Sequence, residues 1–377
     1  MKNDKITVVK IISGIDKALA FEWIATLTST EKIQFYFIFL NNKVPQLHHF
    51  MVQNNIPSNF IKFSSKLDFF FVLPRLFFML RKIKPSVVHT HLYEANLLGI
   101  FISFILRVPK RIHTRHHSTF HHQYHPKHVK IDRLINYLST DIIAISENVK
   151  LVLTDLEKVP EKKIHLIRHG FDLKGFNSVS EERINKIREK YNLKDSMRPV
   201  IGVISRYLNL KGIQYIIPAF KNILVKYPHA LLILANAKGS YEKEIKLLLK
   251  QIPTENYLEI IFEEDIFALY KSFDLFIHVP INKQVEAFGQ TYVEALAAKI
   301  PSVFTLSGIA PEFITHKQNA LIVDYANSDQ IYKAIELILS DKELAIDLTN
   351  KGLISINPFN IERFIDSLTQ LYSSNNQ

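Results

Sequence analysis

The chain has 377 residues, 47% of them apolar, which suits two ordinary domain cores and argues against a single small binding module. It contains no cysteine, so a disulfide-stapled secreted scaffold and a thiolate metal site are excluded. The formal charge of +11 lies in one half: residues 1–180 hold 25 Lys and Arg against 13 Asp and Glu, whereas residues 181–377 hold 22 against 23. Such a half attracts nucleic acid, anionic lipid or phosphorylated substrates, and charge alone does not choose among them.

The first predicted strand is ITVVKII from Ile6. Its apolar run is broken by Lys10 and no small-residue cleavage pattern follows, so it reads as a buried strand and not as a signal peptide. Gly14 follows it, and then comes the strand QFYFIFL from Gln34. The stretch DFFFVLPRLFFMLRKIKP from Asp68 has two readings. Phe69 to Leu80 is expected as a core helix, and its aromatic and basic residues also suit docking on an anionic membrane. It is too short to cross a bilayer. SVVHTH from Ser86 ends in His91, KRIHTRH from Lys110 ends in His116, and DIIAIS and KIHLIRHG begin at Asp141 and Lys163. Seven histidines lie between His113 and His128, which invites a zinc reading. We expect no metal there, because no cysteine or carboxylate joins the cluster in sequence.

The charged stretch Leu173 to Arg198 is expected as the connection between domains. Six further strands follow, starting at Pro199, Ala230, Leu258, Leu275, Ser302 and Ala320, and a last helix runs from Asn357 to Tyr372. Short β-branched or aromatic runs alternating with helix-period segments predict an α/β chain with two doubly wound parallel sheets. The expected domains are 1–180 and 181–356, with 357–377 a C-terminal helix packing back on the first. Ligands of such sheets bind beyond the carboxyl ends of the strands, here in a cleft between two facing sheets.

The segment EAFGQTYVEAL carries the clearest chemistry. Glu286 precedes a predicted helix and Glu294 lies about a turn inside it, so two carboxylates can meet one ligand at different depths. Gly289 lets the backbone approach a ligand, and the opening N–H groups favour an anion. After the strand PVIGVIS come Arg206 and Lys211, two cations suited to holding a diphosphate and stabilising it as it leaves.

With these segments the chain resembles glycosyltransferase family 4, retaining enzymes with the GT-B fold of two Rossmann-like domains. VVHTH, AISENVKLVL, KIHLIRHGFDLKGF, GVISRYLNLKGI, EAFGQTYVEALAAKIPSV and SGIAPEFI carry the likeness. It implies that Glu286 contacts the transferred sugar, Glu294 the ribose hydroxyls, and Arg206 and Lys211 the diphosphate, with the backbone around Phe288, Gly289 and Gln290 completing the donor pocket. On the acceptor side it implies His91, His116 and the loop at Gly14, which here lacks the family's further glycines. Glu263 replaces a common glycine, so base recognition is expected to differ. The resemblance implies a nucleoside diphosphate hexose of UDP or GDP type, a glycan or lipid-linked acceptor, and no metal or other cofactor. It points to cell-surface polysaccharide or lipopolysaccharide synthesis by a cytoplasmic enzyme, with peripheral docking on the inner face of the membrane a further candidate. Catalysis is expected from Glu286, Lys211, Arg206 and His91. A nucleotide-sugar isomerase or epimerase with the same donor pocket is the rival enzyme. A nucleic-acid binder is disfavoured because no recognisable readout motif is present.

Overall fold

A computed structural model describes residues 5–374. The chain forms two compact units, one of residues up to Phe171 together with those from Phe359 onward, the other Asp172–Pro358.

The first unit is built on a seven-stranded sheet of order β3-β2-β1-β4-β5-β6-β7, parallel throughout. The strands are β1 (Ile6–Ser13), β2 (Ile33–Asn41), β3 (Ser58–Lys62), β4 (Val87–His91), β5 (Lys110–Arg115), β6 (Asp141–Ala144) and β7 (Ile164–Leu166). Central strands are covered on both faces, and all five residues of β4, VVHTH, are buried although three of them are polar. The edge strand β3 was not expected from the sequence. Its residues SNFIK are largely polar and half-buried, so it lacks the apolar signal of its neighbours.

The interior of this sheet carries one polar chain. Lys10 is fully buried with Nζ 3.2 Å from His89 Nδ1, and His89 Nε2 lies 2.7 Å from Thr114 Oγ1. Tyr372, on the last helix Ile361–Ser373, brings its hydroxyl to 2.7 Å from His89 Nδ1, and Lys110 Nζ donates to the Ser374 carbonyl at 2.6 Å. Burial without a carboxylate partner lowers the Lys10 amine to about 7.

The helix Phe69–Ile83, expected as a core helix, is amphipathic. Val72, Leu76 and Leu80 are buried, at the spacing of one helix face. Phe70 and Phe71 are each 77% exposed and Phe78 is 67% exposed, so the segment is not a core helix all round. Among the described residues no helix is long and apolar enough to cross a membrane.

The second unit holds a six-stranded sheet of order β10-β9-β8-β11-β12-β13. Its strands are β8 (Val200–Ile204), β9 (Leu231–Ala235), β10 (Tyr257–Ile260), β11 (Leu275–His278), β12 (Ser302–Phe304) and β13 (Leu321–Ile322). Much of the charged stretch expected as a connection is folded into this unit. The helix Glu181–Lys190 is tied down by Arg183, which donates to both oxygens of Asp265 at 2.7 and 2.6 Å. Lys190 and Tyr191 donate to Glu263 at 2.7 and 2.5 Å. Glu263, expected to alter base recognition, is thereby engaged in holding this helix.

Candidate active site

Three loops leaving the carboxyl ends of β8, β11 and β12 build the site in the second unit. Gly212 (φ +77°) ends the turn after β8, and a Cβ there would lie 1.8 Å from the Val279 carbonyl oxygen. Only glycine allows that approach, and Ile281 N–H completes it by donating to Leu210 O at 3.1 Å. This contact carries Lys211 to the β11 loop. The β12 loop closes from the other side at Gly308 (φ +59°), where a Cβ would lie 2.5 Å from Phe288 O and 2.8 Å from Glu286 Cβ. Ile309 N–H donates to Phe288 O at 2.8 Å, and Glu286 N–H donates to Ser307 Oγ at 3.2 Å.

At the junction Lys211 Nζ donates to Glu286 Oε1 at 2.5 Å, and His278 Nε2 lies 3.2 Å from the same oxygen. The His278 ring stands edge-on to Tyr292 with centroids 4.7 Å apart, and Tyr292 donates to Thr305 O at 2.8 Å. Burial alone would raise the Glu286 carboxyl, but the Lys211 ammonium and His278 outweigh it and hold the group at about 2. It is therefore a carboxylate at neutral pH, able to accept hydrogen bonds from sugar hydroxyls and unable to give a proton. Its depressed value adds stability above about 4.5 that is lost as pH falls toward 2.

Gly289 (φ +87°) precedes the helix Gln290–Ala297, and a Cβ there would meet the Tyr292 ring at 2.6 Å. Phe288 is buried beneath the turn and Gln290 is exposed at its rim. Glu294, on the same helix, accepts from the Tyr270 hydroxyl at 2.8 Å. Burial raises its carboxyl to about 7, with Tyr270 pulling the other way. The neutral form is favoured in the fold, so this group costs stability progressively as pH rises from about 4.5 through 7. Two carboxylates on one loop-helix segment thus have opposite character, one permanently charged and one poised near neutrality.

Of the expected diphosphate ligands, Lys211 is brought to the carboxylate and Arg206 is not. Arg206 is exposed at the end of the β8 segment and makes no ion pair or side-chain hydrogen bond among the described residues. His278, Tyr270 and Ser307 were not singled out in the sequence. His278 ends a strand, and the same rule that marked His91 would have found it; Tyr270 and Ser307 carry no comparable local signal.

In the first unit His91 ends β4 and is buried, with Nδ1 3.1 Å from His116 Nε2. His91 Nε2 is buried and has no hydrogen-bond partner. Burial lowers both imidazoles well below their ordinary range, so the pair is neutral and one ring donates to the other. His116 also stacks on His169 with centroids 5.6 Å apart. Gly14 (φ +65°) lines a cavity of about 260 Å³ together with Ser13, Glu94, His116, His117 and His121.

Comparison with known proteins identifies the family and the fold. Residues 183–354 match the family of Glycosyl transferases group 1, and residues 33–174 match Glycosyltransferase Family 4. The chain is 26% identical over 314 residues to the capsular polysaccharide biosynthesis glycosyltransferase CapM of Staphylococcus aureus, covering 80% of each. It is 24% identical over 314 residues to mannosylfructose-phosphate synthase of Agrobacterium fabrum, covering 76% of this chain and 63% of that one. Among solved structures it is similar to Anabaena HepE in complex with UDP and glucose, with a TM-score of 0.82 and 18% identity over 97% of this chain and 99% of that one. Two matched family halves on two parallel α/β sheets, with a lysine–glutamate pair where the strands of the second end, establish that the chain is a glycosyltransferase of family 4 with the GT-B fold.

Proposed function

We propose that this glycosyltransferase moves a hexose from a nucleoside diphosphate sugar of UDP or GDP type to a hydroxyl of a glycan or lipid-linked acceptor, with retention of anomeric configuration, in cell-surface polysaccharide or lipopolysaccharide synthesis. The observation that carries the donor half is the Lys211–Glu286 contact of 2.5 Å beside the glycine-opened helix that bears Glu294. Lys211 would place its charge on the departing diphosphate, Glu286 would accept from the sugar hydroxyls and Glu294 from the ribose. Arg206, exposed and without a competing partner, would join the phosphate when the donor binds. In the first unit the free Nε2 of His91 would meet the acceptor or the transferred sugar. The test is a calorimetric titration with UDP- and GDP-hexoses: one class should bind, and binding by none would remove the donor assignment.

The lipid-linked acceptor is favoured by the helix Phe69–Ile83. Its outward face carries the exposed Phe70, Phe71 and Phe78 with Arg75, Arg81 and Lys82, an aromatic and cationic combination suited to an anionic bilayer surface. Cosedimentation with phosphatidylglycerol vesicles should be clear at low salt and weaker at high salt, and should fall several-fold in the triple variant Phe70→Ser, Phe71→Ser, Phe78→Ser. No binding by the unaltered protein at either salt would end the membrane reading.

A further inference from the structure

The first unit buries a second charged cluster that the transfer reaction does not use. Arg115, the last residue of β5, pairs with Glu157 and also lies 3.3 Å from Asp132 Oδ2. Asp132 Oδ2 is met by His121 Nδ1 at 2.6 Å and by His117 Nε2 at 3.3 Å. Glu157 is met by His122 Nε2 at 3.1 Å and accepts from Asn136 Nδ2 at 2.7 Å. One guanidinium, two carboxylates and three imidazoles are thus gathered in one cluster inside the unit.

We propose that His117, His121 and Asp132 form a binding site for a zinc-class divalent cation. Their three ligand atoms lie within 4.8 Å of one another. Zinc bonds of about 2.0–2.1 Å set tetrahedral ligand atoms roughly 3.3 Å apart. The His117–Asp132 separation of 3.3 Å already has that value. The His121–Asp132 contact of 2.6 Å is a hydrogen bond whose proton the ion replaces, and it must open by a fraction of an ångström. Two imidazoles with one carboxylate select zinc, nickel or copper over magnesium and calcium. His117 and His121 line the 260 Å³ cavity, which gives the ion an entry path and a fourth position for water or a ligand oxygen. Arg115 weighs against the ion, but its closer contact is to Glu157, which leaves Asp132 the carboxylate available to a metal. The sequence hides this set because Asp132 sits on the helix Pro126–Leu138, separate from the histidine run, and only folding returns it to His117 and His121. The fold thus supplies a carboxylate that the local sequence around these histidines lacks.

The test uses the full chain, stripped with a chelator, incubated with one equivalent of zinc or cobalt and desalted. Mass spectrometry should count about one retained ion per chain, and cobalt should show the visible absorption of a four-coordinate site. His117→Ala, at a half-buried position, and Asp132→Asn should each weaken retention at least tenfold, whereas His229→Ala, exposed on the second unit, should not. No retained ion in the unaltered protein, or equal retention in His117→Ala, would overturn the site and leave the cluster a hydrogen-bonded network.

Discussion

Replacing Lys211 by Ala is expected to lower turnover of the nucleoside diphosphate sugar roughly 10²–10³-fold, the cost typical of removing one preorganised group from developing negative charge. The ammonium is held in place before the donor arrives, by a 2.5 Å hydrogen bond to a carboxylate kept ionised at about 2. Its charge therefore needs no reorganisation as the diphosphate leaves. Truncation has a second consequence. Glu286 would remain buried with His278 as the nearer counter-group, its carboxyl would rise, and the fold would lose about 1–3 kcal/mol. Steady-state kinetics beside urea unfolding separates the two effects, because a purely structural role would move the unfolding midpoint and leave kcat of the folded fraction near normal. Near-normal turnover in Lys211→Ala would remove the residue from the chemistry.

The largest stability loss is expected at the neighbouring residue. Gly212→Ala combines a left-handed backbone at φ +77° with a Cβ 1.8 Å from the Val279 carbonyl oxygen, so the β8 and β11 loops must separate. We expect a loss of roughly 3 kcal/mol or more and of donor binding with it, since the same contact delivers Lys211 to Glu286. Gly14→Ala is the comparison: φ is +65° but nothing lies within 4 Å of the new atom, so only the backbone preference is lost, about 1–2 kcal/mol. Equal unfolding midpoints for the two variants would show that the close approach at Val279 does not govern the loop.

The fold was largely legible because buried parallel strands must be apolar runs separated by helix-period segments. The strands of the second sheet carry that signal, and in the first sheet β1 and β2 carry it most clearly, whereas β5, KRIHTR, and the edge strand at Ser58–Lys62 are largely polar. The donor segment was legible for a similar reason, since Gly289, Glu286 and Glu294 lie close together in sequence and their spacing on a helix start is local information. What depended on long-range closure was hidden. His278, Ser307 and Gly308 join Glu286 only when the β11 and β12 loops fold onto each other, and Asp132 joins the histidines only through the packing of a separate helix. Arg206 is the converse case. Its position after a strand marks it as a phosphate ligand, yet its side chain is exposed and apart from the Lys211–Glu286 pair.

The reading of the second unit as a donor site meets its most direct test at Glu294. Burial places this carboxyl at about 7, and the ribose hydroxyls need it as an acceptor, whereas a nucleoside diphosphate sugar has no phosphate that titrates near neutrality. Repeated calorimetric titration with the bound donor at pH 6, 7 and 8 should therefore give an affinity that rises several-fold with pH in the unaltered protein and stays flat and weak in Glu294→Gln. Equal affinities for the two proteins at every pH would contradict the assignment of Glu294 and, with it, the placement of the donor.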